Sequence, residues 1–195
     1  MKACDRHSQI LGAALELFSE QGFRAPTRDL AQRAGVSEAL IFRHFPTKEA
    51  LIREILDGAD DRVRILEDRF GTVPPREALR GLAEHVLTKL RDHPQVFRVV
   101  FFGILEEPHL GQEFYAKFLS RLLALETKLF RRALAERPQK KGAPRPDARI
   151  VARSFHGSLL FYNLAGAVMR MEFPPKNPKK LAEAIVNLYL PETTS

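Results

Sequence analysis

Ser37, Glu38, Ala39 and Arg43 bring a hydroxyl, a carboxylate, a methyl group and a guanidinium to one short segment, whose apolar residues Leu40, Ile41 and Phe45 recur at helical spacing. Such groups at the start of a helix can meet nucleic acid. The Ser37 hydroxyl caps its own helix or donates to a phosphate, and the Glu38 carboxylate can accept from a cytosine amino group. The Ala39 methyl fits against a thymine methyl, and Arg43, like Arg28 upstream, can reach a phosphate or a guanine edge. Taken singly, each is also an ordinary cap or solvated helix residue, so the joint arrangement carries the inference.

Lys48 adds a conflict of its own, because a cation in the first turn of a helix opposes the positive end of the helix dipole. A phosphate held there by free amides and the ammonium removes it. For His44 two readings stand: a further phosphate donor, or a partly buried imidazole satisfied by backbone. Other chemistries lack their residues. The six histidines, at positions 7, 44, 85, 93, 109 and 156, show no metal-ligand spacing, and no glycine-rich phosphate loop is present. Cys4, the one cysteine, is a poor nucleophile candidate and forms no intramolecular disulfide. No metal, cofactor or enzymatic activity is expected.

These groups need a frame, and the sequence supplies one. Residues 27–34 and 37–45 read as two short helices hinged at Gly35, a helix-turn-helix. Ahead of them Ile10, Ala14, Leu17 and Phe18 mark one face of a first helix, 8–21, with Gly22 where a C-terminal cap belongs. Pro46 ends the third helix and Thr47 offers an N-cap oxygen to a long fourth, expected to run to residue 70. Further helices are expected over 75–91, 94–105, 108–134, 147–171 and 177–190, with a polar Pro/Gly loop at 137–146. The expectation is an all-α chain of about nine helices, divided into a helix-turn-helix domain, 1–47, and a larger helical domain, 48–195.

A chain of 195 residues, 45% of them hydrophobic, can bury a sizeable core. Its net charge of +7 and pI of about 9.8 favour an anionic partner. The first residues lack the apolar core of a signal peptide. The most apolar later run, 154–169, contains His156, Asn163 and two glycines and falls short of the roughly 20 residues of a membrane span. A cytoplasmic protein with no membrane partner is expected.

Within residues 10–52, three stretches resemble the N-terminal domain of the TetR family of transcriptional regulators: Ile10 to Phe23, then Asp29 to Ser37, then His44 to Ile52. That resemblance implies that 37–45 is the recognition helix, that His44 and Lys48 contact phosphates, and that Thr27 and Arg28 meet DNA from the start of the second helix. It also implies a helical body that holds a small effector and dimerises through its last two long helices. Two departures bear on this. Phe42 stands where the family usually has a tyrosine whose hydroxyl meets a phosphate, so Phe42 offers apolar contact only. Pro26 sits where a Ser or Thr cap is usual, in a turn one residue shorter than the common pattern.

In the body, 154–169 carries no formal charge for more than four turns, which suggests packing on its own body and on a partner. Gly157, Ala165, Gly166 and Ala167 would allow close approach, with Leu181, Ile185, Leu188 and Tyr189 on the last helix; the alternative is a buried helix of a monomer. Phe97, Phe101, Phe102, Phe114, Phe118, Phe155, Leu159 and Tyr162 can line an apolar cavity with Asn163 or His156 as its polar group, or they are solid core. A cavity so lined suits a hydrophobic effector. A fatty acyl coenzyme A thioester is one candidate, its acidic head meeting Lys140, Lys141 and Arg145, unless that basic loop is simply solvated. The expected function is a homodimeric repressor that binds a palindromic operator and is released by a small hydrophobic ligand. The alternatives are a non-specific architectural DNA binder, or an enzyme of lipid or xenobiotic metabolism that keeps a helical head.

Overall fold

The structure, a computed structural model, describes residues 3–57, 60–137, 144–171 and 177–191. Among them are eleven α-helices and one π-helical turn, and no strand. The helices are α1 (Ala3–Gln21), α2 (Thr27–Ala34), α3 (Glu38–His44), α4 (Lys48–Asp57), α5 (Asp60–Phe70), α6 (Pro75–Asp92), α7 (Pro94–Glu106), α8 (Pro108–Phe114), α9 (Ser120–Ala135), α10 (Ala148–Ala167) and α11 (Pro178–Tyr189). Two of the nine expected helices are each described as two. The run from residue 47 to 70 is α4 and α5, on either side of residues 58 and 59, which lie outside the described residues. The run from Pro108 is divided by a π turn, Tyr115–Leu119, after which the Ser120 hydroxyl donates to the Ala116 carbonyl at 2.8 Å.

Helix starts follow local chemistry. Pro75, Pro94, Pro108 and Pro178 open their helices, where a missing N–H is no loss. Asp147 caps α10 by accepting from the Arg149 amide at 2.8 Å, and Asn177 caps α11 by accepting from the Lys179 and Lys180 amides. The ion pair with Arg149 and that backbone bond hold the Asp147 carboxyl at about 2. The pattern expected to continue to residue 171 stops at Ala167, with Val168 as its cap, and Arg170 beyond it lies in the left-handed region at φ 55°.

The chain forms two compact units. The first comprises Met1–Ala59 with Gln95–Tyr115. Its core gathers Ile10, Ala14, Leu17 and Phe18 of α1, Leu30 of α2, Ile41 of α3 and Leu51 and Ile52 of α4, with Val99 of α7 and Leu110 of α8. The second comprises Asp60–Pro94 with Ala116–Ser195, and packs α6, α9, α10 and α11 around Leu79, Leu82, Leu129, Phe130, Phe155, Leu159 and Ile185. There the Phe130 and Phe155 rings meet edge to face at 5.2 Å. No helix among the described residues is long and apolar enough to cross a membrane.

Leu82 is fully buried in the second unit. Leu82→Ala is expected to cost about 2–5 kcal/mol in a denaturant titration, a lost side chain plus a cavity. Ile65→Ala, at a position 60% exposed, should stay within about 0.5 kcal/mol of the parent.

Candidate nucleic-acid interface

The residues singled out for contact with DNA all lie in the first unit, on or beside α2, α3 and α4. Gly35 makes the bend between α2 and α3: at φ 62° its amide closes on the carbonyls of Ala31 and Gln32, a conformation that strains a residue bearing a Cβ. Gln9 of α1 donates its side-chain amide to the Ala34 carbonyl at 2.8 Å, so α1 also holds the end of α2. Ser37 caps α3, its Oγ accepting from the Leu40 amide at 3.2 Å.

α3 anchors itself through Ile41, which is buried, and turns Glu38, Ala39, Phe42 and Arg43 outward. Ala39, Phe42 and Arg43 follow one another at i, i+3 and i+4 and share one face of the helix. Phe42 is 42% exposed, a large ring with little protein over it, and Arg43 makes no ion pair among the described residues. Two of the expected contacts meet each other: the Thr27 hydroxyl, in the first turn of α2, donates to Glu38 Oε2 at 2.8 Å. The Arg28 side chain is 78% exposed, its guanidinium 3.5 Å from the Asp29 carboxylate. Pro26 precedes α2 without supplying a side-chain cap.

His44 is half-buried, its ring 6.0 Å from that of His7, with no side-chain hydrogen bond among the described residues. Its imidazole therefore lacks the backbone partner that the structural reading of this residue required. Lys48 stands at the start of α4, beneath the Thr47 cap whose Oγ1 accepts from the Ala50 amide at 3.0 Å. Its ammonium donates to the Ala25 carbonyl at 2.5 Å and lies 5.6 Å from the centre of the Phe18 ring. Burial lowers its pKa, against the pull of Glu106 and Glu107. One of three ammonium donors is thus used within the protein.

Sequence reasoning missed what fixes the turn before α2. The Phe23 amide donates to Glu106 Oε2 at 2.9 Å, and Arg98 Nε donates to the Ser19 carbonyl at 2.6 Å. Both side chains come from α7. Gly22, at φ 74°, lies so close that a Cβ there would collide with Glu106 Oε1. Separations of 83 and 79 residues leave no local signal for either bond.

Residues 10–55 match the family model described as bacterial regulatory proteins, tetR family. The nucleoid occlusion factor SlmA of Photobacterium profundum is 32% identical over 167 residues, 81% of this chain and 82% of that one. The chain belongs to the tetR family. The transcriptional repressor KstR2 of Rhodococcus jostii is 40% identical over 67 residues, which span 34% of this chain and only 30% of that protein. The structure of the TetR-family regulator PfmR from Thermus thermophilus superposes with a TM-score of 0.75 at 24% identity, covering 95% of this chain and 99% of that one.

The remaining expected residues divide between the two units. Phe97, Phe101, Phe102 and Phe114 belong to the first, where Phe97 is buried and stacks on Phe101 with ring centres 6.3 Å apart. Phe118, Phe155, Leu159, Tyr162 and Asn163 belong to the second; Phe155 and Leu159 are fully buried, while Phe118 and Tyr162 pack at the core's edge. Leu181 and Ile185 are buried in their own unit's core. Gly157 and Gly166 are exposed with nothing within 4 Å of an added Cβ, Leu188 is 78% exposed, and the Tyr189 hydroxyl pairs with Ser158 at 2.9 Å. Lys140 and Lys141 lie outside the described residues, and Arg145 is exposed.

Removing the Glu106 carboxylate leaves a part-buried amide unpaired. Glu106→Ala should destabilise the first unit by about 1–3 kcal/mol and speed hydrogen exchange at the Phe23 amide. Unchanged protection there would show that the turn holds itself.

Proposed function

We propose that this protein is a homodimeric transcriptional repressor that binds a palindromic operator through α3 and is released by a small hydrophobic effector held in the body. The observation that carries the reading is the outward face of α3, where Ala39, Phe42 and Arg43 stand exposed on a helix anchored from behind by Ile41. A helix so mounted offers its first turns to a major groove. Ser37, Arg28, His44 and the free donors of Lys48 then serve as phosphate contacts, and Thr27 with Glu38 contributes at the junction of α2 and α3. The proposed division of labour is DNA binding by 1–47 and ligand binding and dimerisation by 48–195. The name of the KstR2 relative supports the sign of control, a repressor.

Dimerisation is supported by α10 and α11. Leu160, Phe161 and Leu188 are exposed, and Gly157 on α10 leaves room for a close helix. Apolar surface of that kind on consecutive long helices suits a second copy, each copy offering the other the same patch. Two copies set their α3 helices on half-sites one helical turn, or a multiple, apart. An effector that favours a body shape with a different spacing lowers affinity for DNA through that mismatch. The aromatic residues of the body supply the lining for an effector with an apolar body, and a fatty acyl thioester is one candidate.

A second reading rests on the relative matched over most of its length, a nucleoid occlusion factor: the DNA-bound protein would then serve that role rather than repress a gene. Genome-wide occupancy with transcript levels separates the two, since a repressor changes transcripts next to its sites.

Selection from a random DNA pool should return a palindromic consensus. Arg43→Ala is expected to relax one position of it, and Lys48→Ala to weaken all sequences alike. Binding to random DNA within about tenfold of the selected sequence, vanishing in salt, would favour a non-specific binder instead. Phe161→Glu with Leu188→Glu should convert a dimer to a monomer in sedimentation and lower affinity for the full palindrome by about tenfold or more.

A further inference from the structure

In the second unit, the buried polar side chains among the described residues are Glu126, His156 and Asn163. They are not scattered. His156 and Asn163 are seven residues apart, two turns along one face of α10, and Glu126 reaches His156 from α9. Glu126 Oε1 lies 3.0 Å from His156 Nδ1, and the carboxyl is fully buried. Its other oxygen, Oε2, has no hydrogen-bond partner among the described residues. Asn163 donates to the Leu159 carbonyl at 2.6 Å. Their neighbours along α9 and α10, Leu122, Leu125, Leu129, Phe155 and Leu159, belong to the hydrophobic core of the unit.

A carboxyl oxygen buried without a donor is costly to keep, and a solid hydrophobic core gains nothing from it. Burial raises the Glu126 pKa, with the bond to His156 acting against that. Oε2 stays outside the contact with His156 and can accept a hydrogen bond. We infer that the Glu126–His156–Asn163 stripe is a ligand-recognition site, which takes an apolar molecule bearing a hydrogen-bond-donating head, an ammonium or a hydroxyl, directed at Glu126 Oε2. Glu126 keeps no exposed side-chain surface while His156 keeps 7%, so the head reaches the carboxyl past the imidazole. An anionic carboxylate head is disfavoured beside this group, which names the effector's chemistry more narrowly than its apolar lining does. The inference rests on the reading that the body receives a small apolar effector.

The test uses the full-length protein and four probes with the same ten-carbon chain: decylamine, decanol, decanoate and decanoyl coenzyme A, each below its micellar concentration. Calorimetry and thermal shift read binding, and release of the selected operator is read separately. Decylamine and decanol are expected to bind at least about tenfold more tightly than decanoate, and Glu126→Gln to remove most of the preference for the amine. The head-group order on the unaltered protein stands whether or not the variant folds. Equal affinity for the amine, the alcohol and decanoate, a preference for decanoate, no binding by any probe, or thioester binding alone would each overturn the site. Amine binding that leaves the operator complex intact supports the site and counts against effector control of DNA binding.

Discussion

The amide of Phe23 leaves the end of α1 with no helical partner, and the oxygen it needs arrives from Glu106, 83 residues further along the chain. The same turn receives the Lys48 ammonium at the Ala25 carbonyl and the Arg98 guanidinium at the Ser19 carbonyl. Three cross-connections thus fix the stretch from Ser19 to Ala25, and the direction in which α2 starts depends on them. Since Gly35 makes a single fixed bend between α2 and α3, the bearing of α3 follows from the same turn. The outward face of α3 is therefore held by residues that do not belong to it.

Lys48 illustrates how the two demands on this region combine. A lysine at a helix start is unfavourable by itself, and a carbonyl at 2.5 Å offsets part of the conflict within the free protein. Burial lowers its pKa, the sign that the ammonium has already given up part of its hydration, and an arriving phosphate has correspondingly less water to displace from it. Substituting it touches both the turn and any phosphate nearby.

Much of this was legible in the sequence wherever the controlling signal is local. Gly35, Pro75 and Pro178 act through their own backbone and Ser37 through a hydroxyl three residues from its donor, and the period of Ile10, Ala14, Leu17 and Phe18 marks the buried face of α1 directly. The face of α3 was legible for the same reason, since Ile41 is buried while its neighbour Phe42 is turned outward by the helical period. What lay hidden was non-local. Glu106 and Glu126 are acidic residues in amphipathic helices, and nothing in their neighbours distinguishes a carboxylate that closes a distant turn, or one sealed in a core, from one that faces water. The π turn at 115–119 and the end of α10 at Ala167 were hidden too, because apolar periodicity runs through both places while the backbone does not follow it. Leu181 and Leu188 show the limit in another way: both fit one apolar stripe on α11, yet only the first is buried within its own chain.

The hydrogen bond from Thr27 to Glu38 has a thermodynamic consequence for whatever α3 meets. A free glutamate on a helix surface samples many rotamers and must surrender that freedom to hold one base, whereas here the loss has already been incurred in the unbound chain. Oε1 remains available in a fixed direction while Oε2 is engaged. A correctly placed amino group would then gain a contact at little entropic cost, and a misplaced one would find a carboxylate unable to swing toward it. On the proposed reading of α3, the rigidity of one side chain would sharpen discrimination at a single position more than it strengthens binding as a whole.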